Sequence, residues 1–210
     1  MAGKKQFDVA TALDAAMVQF WRAGYADTSV DDLSRATGLN RSSIYSSLGD
    51  KDTLFLRCLE RYTTRYGDKY DAALSRAADR PLEAVRAFFD ITLERIADPG
   101  LPDGCLVAQT VMATPVLSAN VAERAREAIG FQRARLRAAL QAGSLHDDVA
   151  ESFAGHLAAV NQSLAVMSRA GASAEQLRAV VDVTLDALAQ PLGVRPTAGR
   201  SSAGVQGRRR

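Results

Sequence analysis

Residues 28–54 read TSVDDLSRATGLNRSSIYSSLGDKDTL, and their spacing decides the fold. Val30, Leu33 and Ala36 fall at helical intervals behind Ser29, a good N-cap, with Asp31 and Asp32 in the first turn where the helix dipole favours negative charge. Such a short helix cannot stand alone in water and has to pack against something. Gly38 ends it, because glycine enters a left-handed C-terminal position without steric cost. Asn40 then caps a second short helix, Arg41 to about Ser47, whose buried side is Ile44 and Leu48. Arg41, Ser42, Ser43, Ser46 and Ser47 share its remaining surface. Two short helices joined by a glycine-bearing turn form a helix-turn-helix, a unit that lays its second helix in the major groove of DNA. Asp50 caps a third helix and puts Lys51 in its first turn. A lone cation there opposes the dipole, yet stands beside free backbone amides that suit a phosphate.

These residues resemble the tetracycline-repressor (TetR) family of bacterial transcription regulators. Thr28, Ser29, Val30, Gly38, Leu39, Tyr45, Lys51 and Leu54 match its pattern. Leu48 stands where an aromatic is usual and Ser42 where glycine is frequent; the first reads as a core exchange, the second as a change in which bases are touched. The resemblance covers roughly the first fifty residues. It implies an all-α chain of about nine helices, with a helix-turn-helix domain over 1–50 and a helical ligand-binding and dimerisation domain over 51–192; the basic tail over 193–210 has almost nothing to bury and is expected to be disordered. It also implies a homodimer through the last two long helices.

Composition sets the bounds. With 47% hydrophobic and 24% charged residues, the 210-residue chain has enough apolar material for one or two packed domains. No apolar run reaches the length of a membrane span and the N-terminus lacks a signal-peptide core, so the expected compartment is the cytoplasm. Cys58 and Cys105 are too few for a disulfide framework. Residues 1–57 carry seven Lys/Arg and seven Asp, so the expected DNA-binding part is neutral and attraction to phosphate has to come from placement. The tail carries five arginines and no acid, which leaves the remainder at −3 against the chain's +2.

Along the chain, residues 6–24 predict a first helix with Phe7, Ala10, Leu13, Met17, Phe20 and Trp21 on its apolar face. Lys4 and Lys5 precede it on an arm that either touches phosphate or serves solubility. The helix from Asp50 carries a tyrosine stripe, Tyr62, Tyr66 and Tyr70, read as packing. Pro81 opens a helix lined by Leu82, Val85, Phe88, Phe89, Leu93 and Ile96. After the break DPGLPDG, the run GCLVAQTVMA predicts a short helix with no face suited to water, hence a central one, ended or kinked by Pro115. Three long amphipathic helices follow: 120–142, whose arginines form a solvated face with Glu123 and Glu127, then one striped by Phe153 and Leu157, then one opened by a Ser173/Gln176 capping box.

Function follows from these placements. Ser42, Ser43 and Arg41 are the candidates for base edges; Thr28, Asn40, Tyr45 and Lys51 are the candidates for phosphate. The family resemblance implies an operator-binding repressor released by a small-molecule inducer, for which Phe88, Phe89, Cys105, Gln109, Met112 and Asn161 are the candidate contacts. The step Gly104-Cys105-Leu106 resembles one that some members use to sense oxidants or electrophiles, so a thiol sensor is the alternative reading. A small helical enzyme is a more remote one. His146 and His156 are the only histidines, no metal-ligand spacing or phosphate loop is present, and neither enzyme activity nor a cofactor is expected.

Overall fold

The computed structural model describes residues 8–193. Among these the chain is all helical: α1 (Val9–Ala23), α2 (Val30–Thr37), α3 (Arg41–Leu48), α4 (Lys51–Leu74), α5 (Pro81–Ala97), α6 (Leu106–Met112), α7 (Ala119–Ala142), α8 (Asp147–Arg169) and α9 (Ala174–Ala189). The expected N-terminal arm with Lys4, Lys5 and Phe7, and the basic tail beyond Gly193, lie outside the described residues.

Side-chain caps set the boundaries of the small helices. Asp8 accepts from the Ala10 amide at 2.9 Å and starts α1. Ser29 and Asp32 close a reciprocal capping box on α2, and Asn40 accepts from the Ser43 amide at 2.8 Å to start α3. Gly38, at φ +70°, makes the left-handed turn between them. Arg57, reaching back from α4, donates to the carbonyls of Ser47 and Leu48 at 3.2 and 3.4 Å, so the last orphan acceptors of α3 are also met.

Phe20, Trp21, Leu33, Ile44, Leu48, Leu54 and Phe55 make the buried centre of this head, with Leu48 at 1% exposure. An aliphatic side chain therefore fills the position where the family resemblance leads one to expect a ring. α1 packs on both α2 and α4, and α4 continues into the body to pack on α5, α6 and α7. One long helix thus belongs to two cores. In the body α7 packs on α8, α8 on α9, and α5 on α9.

α6 departs from the sequence reading. It stops at Met112, a short 3₁₀ turn follows at Thr114–Val116, and Met112 and Val116 are 65% and 67% exposed. Only its first turns, with Leu106, Val107, Ala108 and Thr110, are inside. An apolar run shows that a segment can be buried; where the chain turns with Pro115 decides how much of it is.

Candidate nucleic-acid interface and ligand cavity

α3 is the exposed element of the head. Ile44 and Leu48 anchor it in the core, which leaves Arg41, Ser42, Tyr45, Ser46 and Ser47 on the open side, Tyr45 at 54% exposure. Ser43 is half-buried behind them, its amide taken by the Asn40 cap. Arg41 lies in a fork on Asp31 of α2, Nε to Oδ1 at 2.7 Å and Nη2 to Oδ2 at 2.5 Å. Both partners are more than half exposed, so solvent screens this pair and it opens readily. The hydrogen bond from Arg41 also holds the Asp31 carboxyl below its usual range.

Lys51 is placed beside the ring of Tyr25, its Nζ 4.3 Å from the centroid and 3.5 Å from the Ala26 carbonyl. Partial burial pulls its pKa down. Tyr25 is a residue that the sequence reading missed. Its hydroxyl donates to Asp52, its ring meets Phe20 and Phe55, and burial followed by the Asp52 bond pushes its pKa up to about 12. Nothing local in the sequence marked it, since its partners come from α1 and α4.

Thr28 corrects an expectation. It is fully buried, and its hydroxyl donates to the Gly24 carbonyl at 2.6 Å, closing the end of α1. Its side chain therefore braces the turn and is not offered to a phosphate.

A cavity of about 240 Å³ opens between α4, α6, α7 and α8. The tyrosine stripe lines it, together with Cys105, Asn161, Ile129, Phe131 and Gln132. Of the expected ligand contacts, Cys105 and Asn161 are here and the other four are elsewhere. Phe88 and Phe89 are fully buried core, Phe88 against the ring of Tyr70 at 4.5 Å. Met112 faces outward. Gln109 is a tie between body and head: Nε2 donates to the carbonyls of Phe20 and Trp21 at 3.1 and 3.0 Å, and Oε1 accepts from Arg169. Arg169 also reaches the Arg22 carbonyl at 3.3 Å. The last carbonyls of α1 are thus capped by side chains of α6 and α8.

The cavity's polar end is ordered. Thr92 Oγ1 donates to Asn161 Oδ1 at 2.7 Å, so the Tyr70 hydroxyl, 2.8 Å away, donates to Thr92. Tyr62 donates to Cys105 Sγ at 3.4 Å. Burial pushes the Tyr62, Tyr66 and Tyr70 phenols up, so all remain protonated donors. Behind them Arg95, 4% exposed, donates to the Gly104 carbonyl and lies 5.5 and 5.6 Å from the rings of Tyr66 and Trp21. Its Nε has no partner, and among the described residues no carboxylate pairs with it. Cys58, by contrast, is sealed in the core, its thiol pushed up to about 12 by burial. Among the described residues no group of three or more metal-binding side chains occurs, and no helix is long and apolar enough to cross a membrane.

Comparison with known proteins covers both the head and the body. Residues 12–58 match the family described as bacterial regulatory proteins, tetR family, and residues 81–184 match the tetracyclin repressor-like C-terminal domain. The chain is 30% identical over 187 residues to the HTH-type transcriptional repressor ComR of Escherichia coli, spanning 86% of this chain and 89% of ComR. It is 28% identical over 198 residues to the uncharacterized HTH-type transcriptional regulator YezE of Bacillus subtilis, covering 90% of this chain and all of YezE. Its fold is similar to that of a cysteine mutant of the TetR family transcriptional regulator CifR complexed with 26-bp double-strand operator DNA, with a TM-score of 0.78 at 30% identity over 87% of this chain and 97% of that one.

Proposed function

Because the chain belongs to the TetR family of bacterial transcription regulators, we propose that it is a homodimeric repressor that reads a palindromic operator with α3 and leaves it when a small molecule enters the body. The observation that carries the DNA reading is the open side of α3. Its polar residues project from a helix whose two ends are capped by Asn40 and Arg57 and whose back is fixed by Ile44 and Leu48. Arg41, Ser42 and Ser43 then meet base edges, Arg41 after leaving Asp31. Asn40, Tyr45 and Lys51 hold backbone phosphates and set the register.

The second copy docks on α8 and α9. Val166 and Val183, 50% and 70% exposed, stand among the exposed alanines 159, 179 and 187, an apolar face of small residues that allows close helix approach. Two-fold pairing here puts two copies of α3 on half-sites one helical turn or a multiple of it apart.

Release follows from the shared helices. α4 lines the cavity and belongs to the head core; α6 lines the cavity through Cys105 and Val107 and ties α1 through Gln109. A ligand that favours one arrangement of α4 and α6 shifts the population of dimers whose heads match the half-site spacing, by as much as its affinities for the two shapes differ. Reversible binding is favoured over thiol chemistry. The Cys105 sulfur already accepts from Tyr62, and the other cysteine is occupied, its thiol near the Leu13 carbonyl at 3.7 Å.

Selection of duplexes from a random pool by the full chain tests the reading. A recurrent palindrome is expected, retained in gel shift at concentrations where random duplex is free. Equal affinity for every sequence, or enrichment of a single unrepeated half-site, overturns it.

A further inference from the structure

The head meets the body in two ways: α4 runs through both, and the end of α1 is held from outside. Among the described residues, the hydrogen bonds that join the first three helices to anything beyond α4 all end on consecutive carbonyls in the last turn of α1. Gln109 of α6 donates to Phe20 and Trp21 at 3.1 and 3.0 Å, and Arg169 of α8 donates to Arg22 at 3.3 Å. The Phe20 carbonyl also accepts from the Gly24 amide at 2.8 Å, so both of its lone pairs are used. Carbonyls of a last turn lack the amides of a next one, and the Arg169 guanidinium stands at the negative end of the α1 dipole.

The two donors are themselves joined. Arg169 Nη1 donates to Gln109 Oε1, which orients that amide with its nitrogen toward α1. The stem of Arg169 lies on Gly104, where a Cβ would stand 2.8 Å from its Cγ and Cδ. Gly104 is also at φ +85°, so a side chain there would be strained and would have to displace the arginine. Arg95 holds the same glycine by its carbonyl. The end of α1 is therefore placed by a connected set of side chains from α6 and α8. A head joined to the body by α4 alone is free to swing about the point where that helix enters, and a second point of attachment removes the swing.

We propose that Gln109 and Arg169 are positioning residues that set how far apart and at what angle the two copies of α3 stand, and so determine which half-site spacing the dimer accepts. This rests on the reading of the chain as a dimer on a palindromic operator, and assigns the choice of spacing to two residues outside α3. One base pair added between half-sites moves one of them by about 3.4 Å and turns it by about a tenth of a turn. A head held at two points loses contacts on such a duplex; a head held only by α4 follows it.

The test uses the full-length protein and duplexes built on the palindrome that it selects from a random pool: the parent, one with the spacer a base pair longer, one with it a base pair shorter, and one with a single half-site. Competition binding at one fixed salt concentration reads the ratios. Wild type is expected to bind both altered spacers about tenfold or more weakly than the parent. Gln109→Glu keeps the oxygen that accepts from Arg169 and sets a second oxygen against the Phe20 and Trp21 carbonyls. Two lost hydrogen bonds correspond to about a tenfold or larger shift, so the preference for the parent spacer is expected to fall to about twofold or less, with the base preference within the half-site unchanged. The added negative charge weakens all duplexes alike and drops out of the ratio. Should that variant fail to melt cooperatively, Arg169→Met keeps the stem over Gly104, removes both donors, and is expected to lower the preference by about threefold or more. Wild-type spacing ratios in a folded Gln109→Glu chain, or in a folded Arg169→Met chain where the first variant is unfolded, overturn the proposal. So does an altered base preference within the half-site, which would put the two residues in the reading itself. A wild-type chain that selects a palindrome yet accepts all three spacers overturns the proposal and leaves the operator reading standing; one that selects a single unrepeated half-site overturns both.

Discussion

In the head, the helix caps are met by side chains three positions away; at the cavity of the body, the polar side chains are met across the fold. Ser29 with Asp32, Asn40 with Ser43 and Asp50 with Thr53 are all local and exposed. Thr92 and Asn161 are 69 residues apart in sequence and buried, and Tyr62 and Cys105 are 43 apart and part-buried. The head places its caps around an open surface, whereas the body keeps a buried guanidinium with an orphaned Nε, Arg95, and an orphaned amide oxygen, Gln162 Oε1, on the cavity wall. One half is built to present a fixed shape and the other to be completed.

The two cysteines give the largest contrast available. Cys58 sits where head and body share α4, fully buried and with its thiol raised to about 12, while Cys105 is half-buried on the cavity wall. Iodoacetamide at pH 8 is expected to label Cys105 in the folded protein and to reach Cys58 only through opening. For a domain stable by about 5 kcal/mol or more, that is a rate lower by on the order of 10³–10⁴. Peptide mapping after a time course measures it, and comparable rates would break the division between sealed joint and open cavity. Trp21 tests whether the joint is one core or two. Its ring meets Tyr62 at 5.1 Å and Arg95 at 5.6 Å, so Trp21→Ala is expected to cost about 3–5 kcal/mol in denaturant unfolding and to move head and body together. Two separate transitions in the wild-type chain would show that α4 does not couple them.

The same difference decides what the sequence could tell. Caps, the Gly38 turn and the three- and four-residue apolar spacing are local signals, so α2, α3 and the start of α4 were legible from residues 28–54 alone. Leu48, an exception to the family pattern, was legible as core because Ile44 lies one turn before it. Thr28 was misread because a polar residue before a helix usually faces water, and its partner, the Gly24 carbonyl, depends on how α1 ends. The cavity was half legible. Cys105 and Asn161 were found, but Gln109 and Met112 share a short helix with Cys105 and point to other faces of it, toward α1 and toward solvent. The tyrosine stripe was read as packing, and it is both packing and cavity wall, since one face of α4 borders the core and the empty space together. Arg95, one arginine among many, carried no mark in the sequence at all.

The head's fixed surface makes a smaller, sharper prediction. Arg41→Ala is expected to weaken operator binding by about 1–3 kcal/mol per half-site and to relax the base preference there, with little effect on random duplex. Competition binding at one fixed salt concentration measures the ratio. A uniform loss across sequences would move Arg41 from base reading to phosphate contact.

The smallest effect lies at the outer edge of the joint, where Asp14 of α1 accepts from Arg61 at 2.7 and 2.6 Å and from Arg65 at 2.5 Å, both on α4. The hydrogen bond from Arg61 leads in holding the Asp14 carboxyl below its ordinary value of 3.8. A carboxyl lowered on folding adds stability above its unfolded value, and that contribution is lost as pH falls through the lower, folded one. Asp14→Asn removes it at every pH, so variant and wild type are expected to differ at neutral pH and to converge below pH 3.8. Asp14 is 37% exposed, so solvent screening keeps the neutral-pH difference to a fraction of about 1 kcal/mol. Urea midpoints between pH 7 and pH 3 read it. A gap that persists unchanged into acid would mean that the asparagine disturbs α1 itself, and that the latch between head and body owes nothing to the charge of Asp14.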